Sequence, residues 1–358
     1  MNNVNVNVNV NVVFLVCKFY SFSGAANQAL KLASLIKPEV IDLTILNIED
    51  FDCEDKVENG VLVKTIKRGK FSKYISELIS YRKPVVVHSH GFYLDFLFFC
   101  YVLRVPYIIK STLYRSDDFD SLGGSRLGYL KLFIAKKCVA NNSLTNQIRN
   151  VNAKYMKKER VFTVPNTVKF PNETLLAKKK KKVIFVGGYV RRKRPDLAIK
   201  FFNQQFGEDY EFHLYGPSSD IADFDEGYLD YCKNLSNERV IFHPKISSKQ
   251  VSEVMMESKC LLFFSESEGM PNVVLEALAH NCVPIVSEMD GLSKEILPAS
   301  LYWLISTNLE EAPYGDLEKN IDALIESREL LDYCRLKFGR ERVVQGNISM
   351  YRLAENAK

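Results

Sequence analysis

Short apolar runs alternate with longer stretches of helical periodicity along most of this chain. In the first half VVFLVC precedes a helical pattern over Gly24 to Ile36, and VIDLTIL follows it. PVVVHSH then leads into a helical pattern over Phe92 to Leu103, and PYIIK into one over Ser125 to Lys137. Strands that alternate with helices imply parallel βαβ units, because a parallel strand pair needs a crossover that also covers the sheet. The alternation restarts after residue 182 with VIFVGG, a helix from Pro195 to Phe202, EFHLYG and RVIFHP. A helix from Ser248 to Met256, CLLFF, a helix from Val273 to His280 and VPIVS complete it. That predicts a second doubly wound unit of five strands. From about residue 314 onward the pattern is helical only. The Asn-Val alternation of residues 2–12 has a period of two and runs into the first strand; its early part reads as a frayed extension.

The break between the two series falls at residues 167–182, TVKFPNETLLAKKKKK, where polar residues and a proline lead into five consecutive lysines, Lys178 to Lys182. Residues 1–172 are therefore expected as one domain, 173–182 as a solvated linker and 183–335 as a second domain. A length of 358 residues agrees, since single cores stop growing at about 250–300 residues. With 47% hydrophobic and 25% charged residues the chain has the balance of a soluble globular protein with substantial cores. The formal charge of +5 is too small an excess to argue for nucleic acid. Eight cysteines without a C-x-x-C pair read as reduced residues of a cytoplasmic protein, and the first residues lack the basic and apolar regions of a secretion signal. The most apolar stretch, FYLDFLFFCYVLRVPYIIK, is broken by Asp95, Arg104 and Pro106, so it reads as a buried helix followed by a strand rather than a membrane span.

Chemistry concentrates in loops that follow strands, where ligands of open α/β sheets bind. The richest segment is SESEGMPNVVLEALAHNCVPIVSEMDGLSKEI, residues 265–296. Glu268 and Glu276 flank a Gly269-Met270-Pro271-Asn272-Val273-Val274 stretch, with Asn272 expected to cap a helix and leave the amides of Val273 to Leu275 unpaired. Such a helix start suits a diphosphate. Glu276 suits two ribose hydroxyls and Glu268 the hydroxyls of a sugar. The plainer alternative is a capping arrangement with a solvent-facing glutamate.

This block resembles the E-x7-E signature of glycosyltransferase family 4, S-x-x-E-G-x-P-x-x-x-x-E-A-x-A, through Ser265, Glu268, Gly269, Pro271, Glu276, Ala277 and Ala279. It departs at Asn281, where the family usually has a glycine closing the helix, and Asn is the next best residue at a left-handed cap. Gly291 and Glu295 match the family's following G-x-x-x-E-I element. The resemblance implies an α/β protein of GT-B fold, two Rossmann-like doubly wound domains facing a cleft, with a C-terminal helix over 336–358 crossing back to the first domain. It also implies a retaining sugar transfer by front-face attack, in which the departing diphosphate helps to take the acceptor proton. Within VIFVGGYVRRKRPDLAIKFF, Lys193 resembles the family's diphosphate-binding lysine, and Gly187 ends the strand. Gly188 stands where the family often has an arginine, so Arg192, or Arg191, is expected to replace it.

In the first half SFSGAANQALKLA resembles the family's Gly-rich loop, with Ser23 and Gly24 offering amides to phosphate or acceptor; a simple strand-to-helix turn is the alternative. His90 of VVVHSHGF resembles a histidine that touches the donor sugar, although a lone histidine is more often structural. His213, His243 and His280 read as structural. VPN, residues 164–166, resembles an element closing the first domain, and the acidic loop in KSTLYRSDDFDS, residues 110–121, is expected to face the acceptor.

The resemblance implies a nucleotide-sugar donor, UDP being the commonest nucleotide, and a glycan or lipid-linked glycan acceptor of the bacterial surface-polysaccharide kind. No cofactor and no metal are expected. One rival is a metal-dependent transferase using Asp118-Phe119-Asp120 as a D-x-D site; others are a nucleotide-sugar epimerase and a catalytically silent binding subunit. Residues 126–137, RLGYLKLFIAKK, mix basic and apolar side chains, so weak peripheral contact with the inner face of the cytoplasmic membrane is expected beside the alternative of an ordinary amphipathic helix.

Overall fold

Beta-branched valines at every second position suit a half-buried strand, and the Asn-Val alternation is used that way. Val8, Val10 and Val12 are buried on one face of the first strand while Asn9 is exposed. A computed structural model of the chain describes residues 8–20, 24–51, 53–81, 84–172, 179–217, 224–306 and 316–356. They form two units, residues 1–167 with 340–358 and residues 168–339.

Unit 1 runs β1 (Val8–Cys17), α1 (Gly24–Ile36), β2 (Val40–Glu49), β3 (Lys56–Glu58), β4 (Val61–Lys67), α2 (Phe71–Tyr81), β5 (Val85–Ser89), α3 (Leu94–Val102) and β6 (Tyr107–Ser111). It continues with α4 (Phe119–Gly124), α5 (Gly128–Lys137), β7 (Ala140–Ser143), α6 (Asn146–Asn152) and β8 (Val161–Thr163). Unit 2 runs β9 (Lys180–Val186), α7 (Pro195–Gln205), β10 (Glu211–Tyr215), α8 (Glu226–Asn234), β11 (Val240–His243), α9 (Ser248–Glu257) and β12 (Ser258–Phe263). After these come α10 (Asn272–Ala279), β13 (Val283–Ser287), α11 (Leu292–Ile296), β14 (Ile305–Ser306), α12 (Leu317–Ser327) and α13 (Glu329–Phe338). The last helix, α14 (Arg340–Asn356), packs in unit 1, where Val343, Ile348, Met350 and Tyr351 join Phe14 and the β1 valines in one core. The opposite face of the sheet packs Val13 and Leu15 against Phe71, Phe96, Leu97 and Ile134.

The unit 1 sheet has the order β3-β4-β2-β1-β5-β6-β7-β8 and that of unit 2 the order β11-β10-β9-β12-β13-β14. Every pairing is parallel except β3 with β4. The molecule is thus a two-domain α/β protein with doubly wound sheets. Order reverses at β1/β5 and at β9/β12, which makes the carboxyl ends of those strands the ligand crevices of the two sheets.

Several expectations shift. Unit 2 has six described strands rather than five, the sixth being the two-residue β14. Of the expected linker, residues 173–178 lie outside the described residues, while Lys180–Lys182 open β9 and pair with β10 and β12. Sheet hydrogen bonds claim these lysines, and Lys180 reaches Glu257 at 2.7 Å. β7 is invisible to a hydrophobicity pattern because it reads Ala-Asn-Asn-Ser, yet all four residues are buried. Its polar groups are largely satisfied internally: Asn141 Nδ2 donates to Ile109 O and Ser111 Oγ, and Asn152 Nδ2 to Asn141 Oδ1. Of the eight cysteines, six are buried, and Cys17 and Cys53 are partly exposed. No described helix is long and apolar enough to cross a membrane.

Candidate functional site

The crevice of unit 2 is built by two loops that follow β9 and β12. After Val186 the chain passes through Gly187 and Gly188 to Tyr189, a buried ring whose hydroxyl lies 2.8 Å from the carbonyl oxygens of both Leu214 and His243 and shares its one hydrogen between them. This anchor fixes the loop, which then makes one tight turn over Arg191–Lys193 before Arg194, at φ +49°, hands over to α7 with Pro195 in its first turn. Gly187 donates its N–H to Tyr215 O at 2.9 Å, and Gly216 lies so close that a Cβ on it would come within 1.9 Å of Gly187 O. Gly216 therefore sets the position of the Gly187-Gly188 turn. A glycine directly after an apolar strand was its only sequence signal.

The second loop is stitched to the first. Glu266 N donates to Arg192 O at 2.9 Å, and Ser265 Oγ lies 3.2 Å from the same carbonyl oxygen. On this frame Glu268, whose side chain is 14% exposed, takes three donors on one oxygen: Lys193 Nζ, Arg192 Nη1 at 3.2 Å and Ser265 Oγ at 2.7 Å. Arg192 also donates to Ser267 O at 2.9 Å, and Lys193 Nζ lies 5.2 Å from the centre of the Phe263 ring. Two cations held on one carboxylate leave a net positive point at the strand ends. The outer members of the basic cluster are engaged elsewhere. Arg191 pairs with Asp225 at 2.8 Å, and Arg194 pairs with Asp196 and Glu266. Of the two arginines considered as replacements at Gly188, Arg192 is the one that meets Lys193 and Glu268.

The helix start differs in detail from its expectation. Pro271, not Asn272, is the N-cap of α10, and no side chain caps it. The amides of Val274 and Leu275 bond to Pro271 O at 3.0 and 3.3 Å, so they are not unpaired. The side chain of Val274 is fully buried, and Met270 is 9% exposed, so both pack in the core. Gly269, Asn272, Val273 and Glu276 remain half-exposed on the crevice loop and the first turns of α10. Proline wins the cap position because its fixed φ ends the extended segment without needing an N–H. At the other end Asn281, at φ +53°, follows a Schellman closure in which Cys282 N reaches Ala277 O at 2.9 Å and Asn281 N reaches Leu278 O at 3.2 Å. Asn281 Nδ2 also donates to Ile325 O at 2.8 Å, a contact that glycine cannot make.

In unit 1 the crevice at β1/β5 holds His90, whose N–H donates to Leu15 O at 2.9 Å. Its ring is buried against Phe14 and His88, with Nε2 lacking a hydrogen-bond partner among the described residues. Burial, then the neighbouring His88 and Lys110, hold its pKa well below the usual histidine value. His88 is pushed down to about 3 by burial and by Lys110, and its Nδ1 lies 2.9 Å from Tyr351 Oη. Both imidazoles are neutral. Gly24 opens α1, while Ser23 lies outside the described residues. Lys110, buried and lowered to about 8, donates to Asn166 Oδ1 at 2.9 Å, which ties the VPN element to β6. His213 and His243 lie 2.9 Å apart, and His280 bonds Ser252 and Glu276 O, all internal partners.

The carboxylates of the acidic loop have partners within unit 1. Asp117 accepts from the amides of Thr112 and Leu113, and Asp118 is the N-cap of α4, accepting from Ser121 N at 2.9 Å. Asp120 is held by Tyr155 and Lys154. The D-x-D carboxylates thus serve a helix start and a surface contact.

Residues 166–337 match the family model for Glycosyl transferases group 1. The chain is a glycosyltransferase. This enzyme is 24% identical over 260 residues, covering 66% of it and 70% of the relative, to the capsular polysaccharide biosynthesis glycosyltransferase CapH of Staphylococcus aureus. Its architecture is that of GT-B structures. HepE of Anabaena, solved in complex with UDP and glucose, superposes with a TM-score of 0.68 at 11% identity over 94% of this chain and 97% of that one. The lipopolysaccharide outer core galactosyltransferase WaaB superposes with a TM-score of 0.60 at 17% identity, covering 97% and 98%. The matched family region contains both loops of the unit 2 crevice.

Proposed function

We propose that this glycosyltransferase is a retaining enzyme of family 4 that moves a sugar from a nucleotide-sugar donor, UDP-linked, to a glycan or lipid-linked glycan in bacterial polysaccharide biosynthesis. The observation that carries the reading is the meeting of Lys193 and Arg192 on Glu268 at the β9/β12 reversal, beside the start of α10. A leaving diphosphate needs positive charge fixed in place before the bond breaks, and prepositioned donors supply that without reorganisation. Lys193, Arg192 and the first amides of α10 fill this role. Gly187 and Gly188 let the backbone approach the donor, Glu276 binds the ribose hydroxyls, and Glu268 orients both cations as well as reaching the sugar. His90, neutral, is kept as the unit 1 contact to the donor sugar, and Gly24 with Ser23 as the loop near phosphate or acceptor. The chemistry asks for no cofactor, because the nucleotide sugar is consumed as a co-substrate and the departing diphosphate takes the acceptor proton. The capsular relative and the UDP complex of HepE agree with this donor and acceptor class. A cytoplasmic site of action follows from the location of nucleotide sugars.

Incubation with a panel of nucleotide sugars, followed by detection of slow donor hydrolysis, tests the reading. One UDP-sugar is expected to be hydrolysed with EDTA present, and calorimetry is expected to show UDP binding to the wild type but not to Glu276→Ala. Unchanged UDP affinity in that variant removes the ribose assignment. Strict dependence on Mn²⁺ or Mg²⁺ restores the D-x-D alternative.

A further inference from the structure

Fifteen large apolar side chains are exposed among the described residues, and eight of them fall on α3, α5 and the residue before α5. Helix α3 buries Phe96, Leu97 and Cys100 but leaves Phe98, Phe99, Tyr101 and Val102 in water. A helix that is apolar all round is normally covered on every side. Beside it α5 buries Gly128, Ile134 and Ala135 and exposes Tyr129, at 98%, with Leu130 and Phe133; Leu127, the left-handed residue that starts the helix, is exposed too. The two helices form one surface, because the Tyr101 and Phe133 rings meet edge to face at 5.4 Å.

Positive charge rims this surface. Arg104 follows α3, Arg126 precedes α5, and Lys136 and Lys137 end it, all exposed; Lys137 Nζ lies 5.4 Å over the Phe133 ring. No Asp or Glu occurs between Asp95 and Asp117, or between Asp120 and Glu159. Three of the bounding carboxylates are engaged: Asp95 by Arg68, Asp117 by loop amides and Asp120 by Lys154 and Tyr155. A self-complementary dimer through this patch would press its cations on one another. Exposed aromatic rings edged by arginines and lysines, with Lys137 Nζ over the Phe133 ring, match an interface with anionic headgroups. Neither helix is long enough to span a bilayer, so the surface lies on it.

We propose that α3 and α5 together form the docking surface for an anionic lipid bilayer, with Phe98, Phe99, Tyr101, Tyr129 and Phe133 entering the headgroup region and Arg104, Arg126, Lys136 and Lys137 contacting lipid phosphates. This deepens the reading of a lipid-linked acceptor and rests on it for its purpose, but uses none of the donor-site residues. It also replaces the single segment 126–137 by a two-helix surface, half of which lies in the stretch expected to be buried.

The test is co-sedimentation of the full chain with phosphatidylcholine vesicles, alone or mixed with phosphatidylglycerol. Binding is expected only to the mixed vesicles, with release by salt. Lys136→Gln with Lys137→Gln is expected to weaken partitioning by about 30-fold, from about fivefold for each charge near the surface. Tyr129→Ser with Val102→Ser weakens it without disturbing the fold, since both side chains stand in water. Nucleotide-sugar hydrolysis in vesicle-free buffer, expected unchanged in these variants, reads the donor site separately. Equal binding to both vesicle types, binding to neither at low salt, or variants that bind like wild type overturns the proposal. So does a concentration-dependent dimer that Tyr129→Ser abolishes in a protein that ignores vesicles. Vesicle binding without any hydrolysis counts instead against the donor reading.

Discussion

Gly216→Ala probes the donor crevice through a residue that touches no ligand in the proposed mechanism. The added Cβ would sit 1.9 Å from the carbonyl oxygen of Gly187, against the 3.0 Å that real Cβ atoms keep, so the Gly187-Gly188 turn must retreat by about 1 Å. Retreat breaks the registration set by Gly187 N to Tyr215 O and carries the start of the Arg192-Lys193 turn with it. Misplacement by about 1 Å costs on the order of 100-fold in rate, and overpacking of this kind costs about 1–3 kcal/mol in stability. Transfer or donor hydrolysis is therefore expected to fall about 100-fold in kcat/KM, while circular dichroism and a lowered but cooperative thermal transition show the protein still folded. A folded Gly216→Ala enzyme with wild-type kcat/KM would refute the claim that this contact sets the donor loop.

Three further outcomes follow from the geometry. Lys193→Ala is expected to raise the barrier by about 2–4 kcal/mol, whereas Arg191→Ala, whose guanidinium is held by Asp225, leaves steady-state kinetics unchanged; equal losses would dissolve the distinction between the two. Asn281→Gly is expected to cost about 1 kcal/mol for the lost bond to Ile325 O, and Asn281→Ala about 1 kcal/mol more for a left-handed Cβ, read as urea midpoints; identical midpoints would remove the backbone contribution. His88 has a folded pKa of about 3 against an ordinary 6.5, so the folded state binds fewer protons between those values and stability is lost as pH falls through that window. From pH 7 to pH 5 the loss is about 2 kcal/mol for His88, and neutral His90 adds in the same direction; a urea midpoint equal at both pH values in the wild type would contradict the buried neutral pair.

Local pattern carried much of this enzyme. Alternation of apolar runs with helical periods specified two α/β units, since each run needs a partner face and each period a sheet to cover. The Ser265 to Ala279 block specified the crevice of unit 2, because a strand, a Gly-Pro loop and a helix start are consecutive in the chain. The left-handed Asn281 was legible for the same local reason. What the sequence hid depends on partners distant in the chain. β7 is a buried strand only because Ser111, Asn141 and Asn152 satisfy one another. That Arg192 rather than Arg191 meets Glu268 depends on Ser267, Glu268 and Asp225, residues 34 to 76 positions away. The length of the α10 amide gap was settled by Pro271, and the exposure of α3 by what α5 and the sheet leave uncovered. Periodicity reports which side chains want burial; only packing decides which of them obtain it, and which charges end up on one carboxylate.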